Sequence, residues 1–184
     1  MFLDLRERPP PFMPSEFRVR LATERWERAA AARLRRQVFC GEQGIFRDDD
    51  ADALDDIALP IVAVAIVMGM ADRVVGTVRV HEAEPGLWYG SRLAVHRDFR
   101  RQAGLGAGLI GLAVGTAHAQ GCVRFLAHVQ AQNATMFERL HWRSLALLDL
   151  HGRPHHLMEA DLGHYPPCRR GELAPLRLSP LAAA

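Results

Sequence analysis

The first part of the chain has a pattern of apolar and charged positions that predicts one strand followed by one long helix. Residues 17–21, with the sequence FRVRL, place apolar and charged side chains in turn, which is typical of a half-buried strand. Thr23 stands three residues before Trp26 and is the predicted N-cap of the helix, which should continue to about Val38.

Three further strands are predicted in the middle of the chain. The first is apolar throughout, which indicates burial on both faces, and Ala71 and Asp72 join it to the second. Pro85 and Gly86 then turn the chain into the third. The predicted ranges are 59–70, 73–82 and 87–95. We expect them to form the antiparallel centre of one sheet.

A glycine-rich loop and a helix follow the third of these strands. After glycines at 104, 106 and 108, apolar or small residues recur with the period of a helix that has one buried face, at positions 105, 109, 112, 113, 116 and 117. Glycine lets the backbone approach a bulky anion, and the first N–H groups of a helix lack partners within it. Arg100 and Arg101 add positive charge beside the loop. The pattern predicts an anion site at a helix N-terminus.

Two common phosphate motifs do not fit this loop. The phosphate loop of nucleotide hydrolases needs a lysine, and this chain has none. The dinucleotide fingerprint needs a third glycine where Leu109 stands. Residues 101–106, RQAGLG, instead resemble the Arg/Gln-x-x-Gly-x-Gly/Ala pyrophosphate loop of the GNAT N-acetyltransferase superfamily. In that family the loop follows strand four, opens helix three and holds the diphosphate of acetyl-coenzyme A.

This resemblance implies a fold and a cofactor site. The fold is α/β (α+β), a central mixed and mostly antiparallel twisted sheet with helices on both faces and a V-shaped splay between strands 4 and 5 for the pantetheine arm. A kink in residues 93–95 would free backbone N–H groups for the pantetheine and the thioester carbonyl. The implied residues for acetyl-CoA are Leu93, Ala94, Val95, Arg100, Arg101, Gln102, Ala103, Gly104, Leu105, Gly106 and Ala107. The loop is one residue longer than usual, which leaves the roles of Arg100 and Arg101 open.

A second segment, residues 36–43, resembles the R-x-V-F-x-x-E-Q segment of one GNAT branch and, more loosely, of acyl-homoserine-lactone synthases. In those relatives the segment closes over the acyl and acceptor site. Glu42 is therefore a candidate for binding or deprotonating the acceptor, the other interpretation being a solvated acid at a helix end.

The remaining elements follow the family order. Residues 123–129 predict a strand parallel to the one that ends at Val95, and residues 130–142 resemble the family's short fourth helix. Phe137 stands where many members have the tyrosine that protonates the departing thiolate, and His141 stands where they have glycine. His141 or a water is left as the acid. A strand hairpin is predicted to turn at residues 151–154.

Four residues are candidates for the general base that deprotonates the amine. They are Glu42, then Glu82 together with His81, then His128. A base typically contributes 10² to 10⁴ fold, whereas holding amine and thioester together is worth about 7–11 kcal/mol, so a weak base does not exclude catalysis.

The composition bears on the number of domains, the partners and the location of the protein. A chain of 184 residues suits one domain, and a net charge of +2 gives no support for nucleic acid as a partner. Three unpaired cysteines favour a cytoplasmic protein, and no apolar run is long enough for a membrane span. We expect an arm at 1–16, a catalytic domain at 17–165 and a disordered tail or linker at 166–184.

An acidic run and a group of histidines are the candidate ion-binding segments of the chain. Residues 47–56, RDDDADALDD, lack the glycine and glutamate of a calcium loop, so a solvated acidic loop is expected, which would attract a cationic amine if it bordered the acceptor entrance. His151, His155 and His156 lack the spacing of a zinc site, since neighbours on a strand face opposite ways. No metal is expected.

The predicted function is transfer of acetyl, or of a longer acyl group, from coenzyme A to a small-molecule amine. Several short sequence segments, among them GSRLAVH and HGRPHH, also resemble an acetyltransferase-like domain of bacterial nitrilase gene clusters. Two alternatives remain: a non-catalytic acyl-CoA-binding or interaction module, and a synthase of the acyl-homoserine-lactone type that takes S-adenosylmethionine. A homodimer is a further expectation.

Overall fold

The computed structural model describes residues 12–102 and 104–177, and within these ranges eight strands form one sheet. The strands are β1 (Glu16–Leu21), β2 (Leu59–Val67), β3 (Met70–Glu84), β4 (Leu87–Val95), β5 (Arg124–Gln130), β6 (Trp142–Leu150), β7 (Arg153–Ala160) and β8 (Leu176–Arg177). Their spatial order is β6, β7, β5, β4, β3, β2, β1, β8. Strands β4 and β5 pair in parallel, and the other described neighbours pair antiparallel. The predicted mixed sheet with β2, β3 and β4 at its antiparallel centre is confirmed.

Helices cover both faces of the sheet, as predicted. They are α1 (Arg25–Arg36), α2 (Leu105–Ala119) and the short α3 (Ala134–Arg139). Helix α1 packs through Leu34 on one face, where Val62 and Val64 of β2 are buried, and α2 packs through Leu109 and Leu112 on the other. Because α1 runs directly into a π-helical segment, Gln37–Glu42, the glycine loop opens the second described α-helix instead of the third.

The start of α1 differs from the prediction by one residue. Its N-cap is Glu24 and not Thr23. The reason is Glu27, whose carboxylate accepts the Glu24 N–H at 3.1 Å and is held in a fully buried position by Arg20 at 2.6 Å. A capping interaction between two glutamates therefore fixes the first turn.

The turn between β2 and β3 lies three residues earlier than predicted. It is formed by Met68 and Gly69, with φ values of 51° and 79°, and not by Ala71 and Asp72. Two consecutive left-handed residues match the twist of a two-residue hairpin, so the glycine decides the turn. His151 and Gly152 form the β6–β7 turn in the same way, with φ values of 55° and 68°, inside the range predicted for it.

The prediction of a disordered tail from residue 166 is wrong for residues 166–177, and residues 178–184 and 1–11 lie outside the described residues. The segment crosses the outer face of α2, where the Cys168 N–H donates to the Gly115 carbonyl at 2.8 Å. It ends as β8, in which Leu176 pairs with Phe17 of β1. The globular domain therefore extends to at least residue 177.

Glycines on α2 make room for this C-terminal segment, which gives a first prediction. A Cβ at Gly115 would lie 3.0 Å from the Pro166 carbonyl oxygen, whereas a Cβ at Gly111 has open space around it. Gly115→Val should lower the free energy of unfolding by about 1–3 kcal/mol through overpacking. Urea unfolding measures the change, and Gly111→Val is the control with the same residue types on the same helix. Equal midpoints for the two variants would contradict the packing.

Candidate active site

Strands β4 and β5 separate in the middle of the sheet. Their parallel pairing runs from Leu87 opposite Arg124 to Gly90 opposite Ala127, and β4 then continues to Val95 without β5 beside it. One extra residue of β4 lies opposite β3 at this point, with Arg92 at a φ of 55°. This is a β-bulge, and it bends the strand where the pairing with β5 ends. The V-shaped splay implied by the sequence is present.

The open edge of β4 presents backbone groups to this splay. The His96 N–H donates to Val75 of β3 at 2.8 Å, so the alternation of a strand directs the N–H groups of Leu93 and Val95 the other way. The backbone of Ala94 pairs with β3, and its side chain is buried under α1. Of the three predicted residues, Leu93 and Val95 therefore have amides on the open edge, and the bulge begins one residue before the predicted kink.

The start of α2 has the geometry of an anion site. Gly104 caps the helix with a φ of 108°, a conformation that favours glycine, and its carbonyl accepts the Gly108 N–H at 2.7 Å. The N–H groups of the preceding turn, Leu105 to Ala107, therefore point out of the helix end. A Cβ at Gly106 would meet its nearest atom only at 4.0 Å, which leaves open space in front of these groups.

The side chains of the loop before α2 differ in their contacts. Arg100 donates to the Val95 carbonyl at 2.9 Å and pairs with Glu42 at 2.5 Å, whereas Arg101 is exposed. Gln102 is 7 % exposed and turned inward, so its side chain is not presented at the helix end. Ala103 lies outside the described residues. The structure therefore favours Arg101 over Arg100 as the cation for a diphosphate.

A cavity of about 500 Å³ opens beside the splay. His81 of β3, Tyr89 of β4 and His128 of β5 form a row along its wall, with ring centroids 6.1 and 5.9 Å apart. Burial, helped by the charge of Arg79, lowers the pKa of His81. Burial, helped by His155, likewise lowers the pKa of His128. Both imidazoles are therefore neutral near pH 7 and able to accept a proton.

The structure separates the predicted bases. His128 lines the cavity, but Glu82 lies on the opposite face of β3 from His81 and accepts the Gly86 N–H at 2.8 Å. The prediction of Glu82 as a base is therefore wrong, and of this predicted pair only His81 lines the cavity, because successive residues of a strand face opposite ways. Tyr89 also lines the cavity and was not among the predicted site residues, although the pattern of β4 places it on the same face of the sheet as His81, its partner in register.

Glu42 lies beside the cavity and not in its described wall. Its carboxylate is held by Arg100, and the next residue, Gln43, accepts a hydrogen bond from Gln130 at the end of β5 at 3.0 Å. The Gln43 carbonyl also accepts from Arg153 of β7 at 2.5 Å. Residues 42 and 43 thus bridge from the loop after β4 to β5 and β7, across the mouth of the splay. This geometry favours a positioning role for Glu42.

The acidic run is largely exposed, as expected for a solvated loop, but Asp50 within it is buried and corrects the expectation for that residue. Asp50 is 2 % exposed and accepts from Arg35 at 2.7 Å and from Arg92 at 2.9 Å. Both arginine side chains are also largely buried. The burial penalty of these charges is offset by their mutual pairing, so the three side chains depend on one another.

Two further aspartates complete the network. Asp52 accepts two hydrogen bonds from Arg79 at 2.7 Å, and these hydrogen bonds lower the pKa of Asp52. Burial alone would raise the pKa of Asp55, but hydrogen bonds from Arg35 and Arg79 outweigh it and hold that pKa well below its usual value. Because three arginines neutralise three aspartates, the network cannot attract a cationic amine by net charge.

Neither Phe137, at the position of the family's tyrosine, nor His141, the candidate that replaced it, supplies a proton to the cavity. Phe137 is buried in the wall, with its ring edge-on to Trp142 at 5.1 Å. His141 has a φ of 63°, a backbone conformation that favours glycine, and it stacks on His164 at 3.6 Å, away from the cavity, beside a separate depression. The proposal of His141 as acid is therefore wrong. Tyr89 is the phenol in the described cavity wall.

The described residues contain neither a cluster of metal-ligating side chains nor a membrane-spanning helix. Among residues 12–102 and 104–177 no three histidine, cysteine, aspartate or glutamate side chains converge as a metal site. No helix in these same ranges is both long and apolar enough to cross a membrane.

Comparisons with known proteins agree with this geometry. The sequence profile described as "Acetyltransferase (GNAT) family" matches residues 18–142. No curated protein matches the chain.

Solved structures share the fold. A Lactobacillus plantarum protein assigned as an N-acetyltransferase is 23% identical with a TM-score of 0.69, over 78% of this chain and 97% of that one. An acyl-CoA N-acyltransferase from Pseudomonas aeruginosa is 18% identical with a TM-score of 0.62, over 79% and 99%. BjaI, a CoA-dependent acyl-homoserine lactone synthase solved with SAM and isopentyl-CoA, is 18% identical with a TM-score of 0.57, over 73% and 74%. At these identities the structures show the fold alone.

Proposed function

The chain belongs to the GNAT acetyltransferase family, whose members use an acyl-coenzyme A as co-substrate, and from this we propose that it transfers an acyl group to the amine of a small molecule. One observation carries the proposal: the outward N–H groups at the start of α2 lie beside the splay between β4 and β5. A diphosphate fits the first and a pantetheine arm fits the second. Acetyl is the simplest group consistent with this site.

The reaction is direct attack. The amine nitrogen attacks the thioester carbonyl carbon, a C–N bond forms, the C–S bond breaks, and coenzyme A leaves as a thiolate. The amine loses one proton to a base and the thiolate gains one from an acid. The amide groups of Leu93 and Val95 are placed to bind the pantetheine and the carbonyl oxygen, where negative charge develops.

We propose His128 and His81 as the bases, which gives a second prediction. The variants His128→Gln and His81→Gln are compared with the wild type. The variant that lacks the base should show a kcat/KM at least tenfold lower. Because the pKa of each imidazole is lowered, the base stays neutral at pH 7 and kcat/KM should fall only below about pH 6.5. The pH profile checks this, since losing the base also removes that acidic limb. If neither variant loses tenfold, both assignments are wrong.

Tyr89 is proposed as the acid, because Phe137 has no proton to give. Its ring lies between His81 and His128 in the cavity wall. Tyr89→Phe keeps the ring and removes only the hydroxyl, so kcat should fall while acyl-CoA affinity is retained. Glu42→Gln is the comparison: a positioning residue should alter KM and leave the acidic limb of the profile in place.

A thermal-shift series is the primary test. At 100 times its Kd a ligand stabilises by about 2.7 kcal/mol, so acetyl-CoA should raise the Tm while ATP and NADH should not. Amines are then screened with a thiol reagent that detects released coenzyme A. A response to ATP or NADH in place of coenzyme A would overturn the proposal.

The two alternatives give different outcomes in the same assays. A non-catalytic binding module, which Phe137 favours, would show stabilisation by acyl-CoA without thiol release from any amine. A synthase of the acyl-homoserine-lactone type would release thiol only with S-adenosylmethionine. The observation that favours it is the likeness to BjaI, solved with SAM and isopentyl-CoA.

Location and assembly are also proposed. Three free cysteines support a cytoplasmic location. Edge strand β6 exposes Leu145 and Leu147, at 38% and 74%, and supports a homodimer through this edge. Sedimentation of the wild type and of Leu147→Arg tests the dimer.

A further inference from the structure

The network of arginines and aspartates reaches the cavity with one end. Its members Asp52, Arg79 and Arg92 line the cavity, and they are the acidic and arginine side chains in the described part of the wall. Asp52 and Arg79 are joined by two hydrogen bonds of 2.7 Å and balance each other. Arg92 therefore sets the sign of the charge at this end of the cavity.

One guanidinium nitrogen of Arg92 is unpaired, unlike in the other two arginines of the network. All three guanidinium nitrogens donate hydrogen bonds in Arg35 and in Arg79. In Arg92, Nε donates to Asp50 at 2.9 Å and Nη2 donates to Asp52 at 3.1 Å. Its Nη1 has no partner among residues 12–102 and 104–177, and it is not fully buried. The N–H groups of Nη1 are thus available to a ligand.

The charge of Arg92 is incompletely balanced by its surroundings. Its side chain is only 18% exposed, lies over the Phe46 ring at 4.6 Å and shares the Asp50 carboxylate with Arg35. Burial and the nearby charge of Arg79 lower the pKa of Arg92. Burial also opposes the charges of Arg35 and Arg79, but hydrogen bonds to aspartates outweigh it and raise their pKa values. A further anion beside Arg92 would therefore be stabilised.

The β-bulge places this unpaired donor beside the proposed reaction centre. Arg92 is the bulge residue with a φ of 55°, and the N–H of the next residue, Leu93, lies on the open edge proposed to bind the pantetheine and the thioester carbonyl. Both residues line the same cavity of about 500 Å³, as does the histidine row. One small molecule can therefore present an anion to Arg92 and an amine to the thioester.

We propose that the acceptor is an amino acid whose carboxylate binds Nη1 of Arg92 while its amine attacks the thioester. The inference rests on the proposed function and names its acceptor. The bonds formed and broken are those of the proposed reaction, and the carboxylate takes no part in them. A planar guanidinium suits a carboxylate, and a single unbalanced charge suits it better than a phosphate group, which carries about two. Because an amino acid has no net charge, the neutral network does not oppose its entry.

The test compares three forms of each acceptor with wild-type protein and acetyl-CoA. The forms are the standard amino acids, their primary carboxamides and the amines that lack the carboxyl group, and released coenzyme A is measured. The best amino acid should have a kcat/KM about 10- to 100-fold above that of its carboxamide, through a lower KM. Equal or faster turnover of carboxamides or simple amines would overturn the inference and leave the proposed function intact. No release of coenzyme A with any acceptor would overturn both.

Two variants locate the effect. Arg92→Gln removes the unpaired donor, so the ratio of kcat/KM between amino acid and carboxamide should fall to about one. Arg36→Gln is the matched control and should keep the ratio, because Arg36 pairs with Asp49 of the same acidic run at the surface. A wild-type ratio in Arg92→Gln would overturn the role of Arg92.

Inhibition of the wild type gives an independent readout if Arg92→Gln does not fold. The carboxylic acid that lacks only the amine of the best acceptor should inhibit competitively against that acceptor. Its carboxamide should inhibit at least tenfold more weakly, because it offers Arg92 no charge. Equal inhibition by the two compounds would contradict carboxylate recognition.

Discussion

Gly106→Val is expected to weaken binding of every coenzyme A ester about 100-fold while the protein stays folded. The open space in front of Gly106 accommodates the new side chain without a clash, since the nearest atom to a Cβ is 4.0 Å away. That same space is where a diphosphate would accept hydrogen bonds from the first turn of α2. A hydrogen bond to a charged group contributes about 1.5–3 kcal/mol, so the loss of two such bonds weakens binding by about 100-fold.

Calorimetry with coenzyme A measures this loss, and the Tm without ligand shows that the fold is kept. Gly111→Val is the control, because it makes the same substitution at another open position of α2. Arg101→Gln should give a smaller loss that shrinks further at high salt, as for an exposed cation. Wild-type affinity in Gly106→Val would place the diphosphate elsewhere.

Asp50→Ala is expected to give the largest loss of stability, about 3–5 kcal/mol, because it leaves Arg35 and Arg92 buried without their shared carboxylate. Asp49→Ala is the matched control. Its carboxylate pairs with Arg36 at the surface, so its removal should have little effect on urea unfolding. Similar losses in the two variants would show that the buried network is not a cooperative unit.

The same network predicts how stability changes with pH. Because the pKa values of Asp52 and Asp55 are lowered in the folded protein, their contribution is complete above the unfolded pKa of about 4. It is lost as the pH falls through the lower folded values. Urea midpoints measured downward from pH 7 should therefore decline first below about pH 6.5, where the unfolded chain protonates the imidazoles of His81 and His128, and more steeply below about pH 4, where these aspartates add their loss.

Local features of the site could be predicted from the sequence. The glycine loop and the start of α2 were found because left-handed backbone and free N–H groups depend on a few consecutive residues. His81 and Glu82 show the limit of this approach. A shift of one residue along a strand moves a side chain to the other face, and only the register with β4 decides which of the two faces the cavity.

Contacts between distant residues could not be predicted. Asp50 lies 42 residues from Arg92 in sequence, and nothing in either segment indicates that they pair. For the C-terminal segment a signal did exist. Gly108 and Gly115 stand on one side of α2, away from the sheet, where the C-terminal segment packs, and a helix that is apolar all round is covered on more than one side.

The pairing of β8 with β1 determines the order in which the chain can finish folding. The first described strand receives its outer neighbour only from the last described residues, Leu176 and Arg177. During synthesis β1 therefore has an open hydrogen-bonding edge, and α2 an uncovered apolar flank, until residues 166–177 have left the ribosome. Pairing of a sheet edge that occurs late and over a long sequence separation slows folding. It also leaves aggregation-prone apolar surface exposed in folding intermediates.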